Sequence, residues 1–145
     1  MQEVNFDTVL DVILAKDVRY TREAYHFLKD ALDFTQKTIG KENHGGTRHH
    51  VTGQELLDGL RQYSLQQFGP MTVTVFEEWG VLSCKDFGEL VFNMVESGLL
   101  AKTDRDSRDD FQNGYDFTDA FCKPYWPESR LKREKTAKAP AAKQN

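Results

Sequence analysis

Apolar residues recur at helical spacing along most of the chain and predict a series of amphipathic helices. In residues 5 to 16 they share one face, and the same spacing runs from Thr21 to Gly40, where the glycine predicts a helix end. These two segments predict a helical hairpin over residues 1 to 40. The polar, glycine-containing stretch from 41 to 51 then predicts an exposed loop.

Capping signals predict where the third helix begins and ends. Thr52 and Glu55 form a capping-box pattern, in which each side chain bonds to the backbone N–H of the other residue. Apolar residues at helical spacing continue to Gly69, which is followed by Pro70. Proline suits the first position of a helix, so a new helix is expected there.

Two further helices are predicted over residues 71 to 79 and 84 to 97, with Gly80 in the tight turn between them. Ser83 and Asp86 supply a second capping box at the start of the later helix. Two helices joined by such a turn form the helix-turn-helix arrangement. Helix 84 to 97 then occupies the place of a recognition helix.

The sequence after that helix predicts a small β-hairpin. Residues 99 to 103 can form one strand, and Phe111, Tyr115 and Phe117 share one side of a returning strand, because alternate residues of a strand face the same way. Three helices followed by a hairpin is the order of a winged helix. Residues 52 to 121 are therefore predicted to be winged-helix-like.

The strands of this hairpin can pair in two ways. One places a long wing over residues 104 to 110. The other uses Asn113-Gly114, a strong two-residue turn signal, and pairs 110 to 112 with 115 to 117.

The expected fold is mainly α with an α+β element. A helical hairpin packs on the winged-helix-like part, which has a small β-hairpin, and residues 1 to 122 form one compact domain. Residues 123 to 145 lose periodicity and hold three of the four prolines, so they predict a basic, flexible and disordered tail.

Composition indicates an ordinary globular chain that needs no cofactor to fold. Its 145 residues are 39% hydrophobic and include 10 Phe, 5 Tyr and 2 Trp, enough for a substantial core. No apolar run is long enough to span a membrane, and the start resembles no signal peptide, so a cytoplasmic location is expected. Cys84 and Cys122 are expected to be reduced.

Charge is distributed unevenly along the chain. Residues 123 to 145 hold seven basic and two acidic residues, a net charge of +5, and the remaining twelve basic and twenty-one acidic residues give −9. The body is therefore acidic and the tail basic. The acidic rim of helix 84 to 97 favours a basic partner, or the chain's own tail folded back.

Several phrases together resemble an uncharacterised family of short bacterial proteins: REAYHFLKDALDFTQ, HVTGQELLDGLRQYSLQQFGPM, EEWGV, DFGELVFNMVESGLLAKT and GYDFTDAF. The resemblance covers about residues 20 to 121. It implies a bacterial, cytoplasmic setting but no activity, substrate or functional residue. Residues 71 to 121 also resemble winged-helix regulators of the multiple-antibiotic-resistance type, which implies a dimeric DNA-binding protein.

The charges of helix 84 to 97 argue against DNA reading. Nearly all non-specific affinity for DNA comes from Lys and Arg that neutralise phosphates. This helix offers only Lys85, and its other charged residues are acidic. Sequence-specific binding of duplex DNA is therefore not expected.

Gly88 and Phe92 indicate that another helix or chain approaches helix 84 to 97 closely. They lie about 100° and about 140° from Phe87 around the helix axis, beside the core face and partly outside it. Either the first helical hairpin covers this spot, or a partner binds there. The second alternative predicts a non-enzymatic protein-protein interaction module whose surface consists of Gly88, Glu89, Phe92, Asn93 and Glu96.

The tail supports an alternative function. Its basic residues resemble those of flexible arms that bind RNA, which predicts nucleic-acid or ribosome association. The candidate residues are Arg130, Lys132, Arg133, Lys135 and Lys138.

Catalytic and metal-binding patterns are not found in the sequence. His44, His49 and His50 cluster, but their spacing matches no zinc pattern and they predict a solvated loop. No nucleophile elbow, phosphate loop or metalloprotease motif is present. We therefore expect that the chain is not an enzyme and that it binds no cofactor or metal.

Overall fold

The computed structural model describes residues 5 to 43, 51 to 100, 109 to 112 and 114 to 133. Its helices are α1 (Phe6–Lys16), α2 (Arg22–Asn43), α3 (Gly53–Phe68), α4 (Thr72–Trp79), α5 (Cys84–Glu96) and α6 (Asp109–Gln112). Short 3-10 turns occupy Gly69–Met71 and Lys123–Tyr125, a π-helical turn occupies Thr118–Cys122, and residues 128 to 133 are helical. The fold is mainly α, and the five predicted helices are present.

Local capping explains where the helices begin. Asn5 caps α1, because its Oδ1 accepts from the backbone N–H groups of Asp7 and Thr8 at 3.0 and 3.3 Å. The predicted capping box of α3 is confirmed. Its Thr52 Oγ1 accepts from Glu55 N at 3.1 Å, and Glu55 Oε1 accepts from Thr52 N at 2.9 Å.

The predicted helix end at Gly40 is wrong, because α2 continues to Asn43. A glycine ends a helix when its backbone turns left-handed. Gly80 does so after α4, with φ at 87°, whereas Gly40 lies within the helical backbone.

The two predicted helices α4 and α5 are present and are joined by a short turn of residues 80 to 83. Gly80 starts the turn, and Asp86 Oδ2 holds its end by accepting from the backbone N–H groups of Leu82 and Ser83 at 2.8 and 3.2 Å. These contacts satisfy donors that a helix N-terminus otherwise leaves unpaired.

Aromatic rings around Phe76 form the centre of the core. Phe76 is fully buried, and its ring centroid lies 5.4 to 6.4 Å from those of six other rings. These rings belong to Phe27, Phe68, Trp79, Phe87, Phe117 and Phe121. The contacts join α2, α3, α4 and α5 to the segment after Gly114.

The predicted β-hairpin is not found, since the described residues contain no strand. Leu99 and Leu100 lie in a turn after Gly98, and Phe111 lies in α6 rather than in a returning strand. Residues 101 to 108 and Asn113, which include most of the predicted wing and half of its alternative turn, lie outside the described residues.

Separate anchoring of three aromatic side chains explains this correction. Phe111 is buried against α5, Tyr115 OH donates to Leu57 O at 2.7 Å, and Phe117 packs on the Phe76 ring. A strand would place all three in one row. These side chains instead contact three different parts of a helical body. Their alternate spacing in the sequence therefore does not reflect a strand.

The first residues of the predicted tail have helical structure. Lys123–Tyr125 form a 3-10 turn, and residues 128 to 133 are helical, where the sequence predicted no regular structure. Residues 134 to 145 lie outside the described residues. In the part of the chain that the structure describes, no helix combines the length and apolarity needed to cross a bilayer.

The closest approach of α2 to α3 generates a stability prediction. A Cβ at Gly59 would lie 1.8 Å from Thr35 Oγ1, inside the buried interface of the two helices. We expect Gly59→Ala to lower the free energy of unfolding by about 1 to 3 kcal/mol, because overpacking outweighs the better helix propensity of alanine. Urea unfolding followed by tryptophan fluorescence measures this change.

The matched control is a double-mutant cycle. Thr35→Ala removes the clashing hydroxyl, so Gly59→Ala should cost less in the Thr35→Ala background than in the wild type. Equal costs in the two backgrounds would contradict the proposed contact.

Candidate partner-binding surface

Gly88 is buried in α5, and α6 packs directly on it. A Cβ at this position would lie 2.8 Å from Phe111 Cβ. The close approach predicted at Gly88 is present, but it comes from the same chain. Neither the first helical hairpin nor a partner makes this contact, so Gly88 does not belong to a free surface.

Glu89 and Asn93 contact the connection between α1 and α2, residues 17 to 21. Asn93 Nδ2 donates to Asp17 Oδ2 and to Tyr25 OH, both at 3.0 Å. Arg19 Nη2 donates to Glu89 Oε1 at 3.1 Å. The α1–α2 connection therefore covers the part of α5 that carries Glu89 and Asn93, whereas the predicted alternative concerned Gly88 and Phe92.

The same connection is held further along α5 by Tyr20, whose OH donates to Asp86 Oδ1 at 2.5 Å. Burial and this contact with Asp86 raise the pKa of Tyr20. Thr21 N also donates to Trp79 O at 3.3 Å. Residues 17 to 21 thus run across the α4–α5 turn and along the outward face of α5.

Asp17 is the charged centre of this contact. Its carboxylate receives two short bonds from Arg19, Nε to Oδ1 at 2.9 Å and Nη2 to Oδ2 at 2.7 Å. The bonds from Arg19, followed by the bond from Asn93, hold the pKa of Asp17 well below its ordinary value. The Asp17 side chain is 16% exposed, whereas that of Arg19 is 53% exposed, so solvent reaches the guanidinium side of this pairing.

These contacts bear on the resemblance to DNA-binding regulators. A recognition helix must present its outward side chains to base edges in the major groove. In α5 two of those side chains, Glu89 and Asn93, are bonded to the chain's own residues 17 to 25. The outward face of α5 is therefore engaged within the protein.

Phe92 is buried and lines a cavity of about 160 Å³ between α2, α3 and α5. Most of its wall is apolar. The lining residues are Leu32, Gln36, Val51, Thr52, Gly53, Leu56, Val91, Phe92, Val95, Leu100 and Phe111. Of the five predicted surface residues, Phe92 alone lines this cavity, and the exposed Glu96 follows its lining residue Val95.

Charged residues that neighbour the cavity lining in sequence are mostly acidic. Among the described residues, Asp33, Glu55, Glu96 and Asp110 each adjoin a lining residue in sequence, and Lys37 is the single cation that does so.

A second cavity, of about 460 Å³, lies between α4, the α4–α5 turn and residues 114 to 118. It is more open, and polar groups line much of it. Leu82, which is 66% exposed, lies at its wall together with Glu77 and Asp116. This site offers less apolar shelter than the cavity at Phe92.

The histidine and cysteine side chains of the described residues do not line either cavity. His26 Nε2 pairs with Asp7 Oδ1 at 2.8 Å, but both side chains are exposed and neither lines the two cavities. Cys84 and Cys122 are free thiols, and burial raises the pKa of Cys84 to about 11. The described residues hold no cluster of three or more metal-ligating side chains. His44, His49 and His50 lie outside them.

The structure also places part of the predicted nucleic-acid tail. Arg130, Lys132 and Arg133 are exposed on the helical residues 128 to 133. Lys135 and Lys138 lie outside the described residues.

Sequence reasoning missed the residues that cover α5. Asp17 and Asn93 are separated by 76 positions, so local spacing does not connect them. The sequence signal was the charged pair Asp17 and Arg19 in a short connection between two helices. That pattern indicates a bonded turn, but it does not identify the helix that the turn contacts.

Comparison of the chain with protein-family models, with curated proteins and with solved structures finds no match. No relative therefore supplies an activity or a site. The function has to be argued from the geometry of the described residues.

The Asp17 contact generates a pH prediction. Because the pKa of Asp17 is depressed in the folded chain, the unfolded chain binds more protons once the pH falls below the ordinary value of 3.8. The stabilisation is complete above that value and is lost as the pH falls towards the folded pKa. Asp17→Asn should weaken this acid-induced loss and cost about 1 kcal/mol at neutral pH.

Urea unfolding between pH about 2 and 7 measures this effect. Asp33→Asn is the matched control, because Asp33 is an exposed carboxylate on α2. It should leave the pH dependence nearly unchanged. Parallel curves for Asp17→Asn and the wild type would refute the role of Asp17.

Proposed function

We propose that the chain is a bacterial, cytoplasmic protein-protein interaction module that works without catalysis. The observation that carries the proposal is the mostly apolar cavity at Phe92, which is lined mainly by residues of α2, α3 and α5 and whose lining residues have mostly acidic charged neighbours in sequence. The module binds one apolar side chain of a partner in that cavity. Basic residues of the partner face the neighbouring carboxylates.

The size of the cavity supports a single anchoring side chain. A cavity of about 150 Å³ lined by apolar groups is large enough for benzene. The cavity at Phe92 has about this volume, so it fits one leucine or phenylalanine side chain. Interfaces that bury such an anchor in a pocket gain much of their affinity there.

The form of the partner follows from the walls of the cavity. In this proposal the cavity between α2, α3 and α5 serves as a groove, and apolar grooves between helices bind the apolar face of an amphipathic helix. A partner helix with one apolar anchor and flanking Lys or Arg residues matches both the shape and the charge. The body of the chain, with a net charge of −9 over residues 1 to 122, adds long-range attraction for it.

Two further observations support a protein partner over duplex DNA. Helix α5 carries Lys85 against three carboxylates, and its outward face is bonded to residues 17 to 25. The α3–α4–α5 order remains that of a winged-helix-like core, and the proposal uses this core as a scaffold for the groove. It assigns no function to a wing.

An NMR titration tests the proposal. The probe is a synthetic amphipathic helix of about 15 residues with leucine anchors on one face and lysines on the other. We expect the amide signals of Gln36, Gly53 and Val95 to shift, with a Kd on the order of 0.1 to 1 mM, since a single buried anchor supplies limited binding energy. The same peptide with alanine anchors should bind much more weakly.

Four controls distinguish binding in the groove from non-specific binding. A peptide with glutamates in place of the lysines should not bind. Val95→Asp, at the cavity wall, should abolish binding, and Glu96→Lys, at an exposed position, should weaken it several-fold. Leu82→Asp, at the other cavity, should leave it unchanged. Shifts centred on Leu82 and Asp116, or equal binding of the acidic peptide, would refute the proposed site.

A further inference from the structure

The segment after Phe121 forms a structured basic surface that the proposed groove does not use. Phe121 is fully buried and packs on Phe76, so it anchors this segment to the core. Pro124 lies in the first turn of the 3-10 helix Lys123–Tyr125. The surface therefore starts from a fixed point of the fold.

Trp126 is the centre of this surface. Arg130 Cζ lies 3.9 Å from the centroid of the Trp126 ring, and Lys123 Nζ lies 5.8 Å from it. Both are within cation–π distance. A guanidinium held over an indole is fixed in orientation, and its planar group is available for stacking.

Tyr125 adds an exposed aromatic side chain beside this pair. It is 46% exposed, and its hydroxyl lies near Gly69, since a Cβ there would be 3.6 Å away. The charges of its own segment are mostly positive, and one of them, Lys123 Nζ, pairs with Asp119 Oδ1 at 2.7 Å. Residues 123 to 133 hold four basic residues and one acidic residue, and Arg130, Lys132 and Arg133 are exposed.

We infer that Tyr125, Trp126, Arg130 and Arg133 form a binding site for single-stranded nucleic acid. Proteins that bind single strands combine cations along the backbone with aromatic side chains on which bases stack. Here Tyr125 offers the stacking surface, and the Arg130–Trp126 pair offers a second planar group beside it. Phosphates contact Arg133, which is exposed.

Single strands fit this surface better than duplexes. In a duplex the bases are paired and stacked on one another, so an exposed tyrosine gains nothing from them. An acidic peptide would satisfy the cations but would leave the stacking groups without a partner. The aromatic residue among the cations is thus the feature that selects the ligand class.

Fluorescence anisotropy with a labelled 12-nucleotide oligo(U) tests this inference on the full chain. We expect Tyr125→Ala to raise Kd about 5- to 100-fold, within the range measured for single stacked bases, and Tyr125→Phe to leave it within about twofold. Arg130→Lys, which keeps the charge but changes the planar group, should raise Kd several-fold. Affinity should also fall steeply between 50 and 200 mM salt.

Matched controls address charge, folding and the other site. Lys16→Ala removes an exposed cation of α1 and should change Kd by less than about twofold. Val95→Asp, which blocks the groove, should leave oligo(U) binding intact, so failure of one proposal does not decide the other. Thermal unfolding of each variant establishes that it is folded at the assay temperature.

Each remaining outcome decides the inference. Oligo(dT) that binds as well as oligo(U) supports a site for single strands of either kind, and selective binding of oligo(U) supports an RNA site. The inference fails if a duplex or a polyglutamate peptide binds as tightly as oligo(U). It also fails if Tyr125→Ala has no effect, or if oligo(U) does not bind at low salt.

Discussion

The fold depends on one fully buried ring, that of Phe76 in α4. A ring with neighbours on all sides excludes water from the whole core and fixes the angles at which its partners approach. Phe87 and Phe121 both meet it nearly perpendicularly, with interplanar angles of 88°. Because Phe117 and Phe121 also belong to this cluster, the segment after Gly114 is part of the core. Its aromatic residues serve packing, and a projecting wing could not make the same contacts.

The packing around Phe76 determines which surfaces remain available for function. One side of α5 faces the core, α6 packs on Gly88, and residues 17 to 21 lie across the outward side. The α4–α5 pair thus serves the packing of the protein, in keeping with the rule that a fold does not determine a function. The surfaces left for the two proposals are the cavity at Phe92 and the segment around Trp126.

Local signals in the sequence predicted the helices well, and long-range contacts explain the failures. Capping pairs such as Thr52 and Glu55 lie three residues apart, so their geometry follows from the helix itself. The Phe111, Tyr115 and Phe117 alternation is compatible with a strand, and only the packing partners of each ring decide against it. Gly88 correctly indicated a close approach. Its partner, Phe111, could not be identified, because a missing Cβ shows that space is needed and not which side chain fills it.

The two proposed surfaces have opposite charge preferences, and that difference constrains the partner. Carboxylates beside the groove repel a polyanion, and the cations around Trp126 repel a basic helix, so each ligand has one site. A basic protein bound to single-stranded RNA would satisfy both sites together. Each contact alone is expected to be weak, because one buried anchor or a few stacked bases supply limited free energy. Linking them in one complex makes the second contact intramolecular and raises the apparent affinity through its effective concentration. In such a complex, the acidic body would bind the basic protein and the basic segment would bind the RNA, so the two charges would act together.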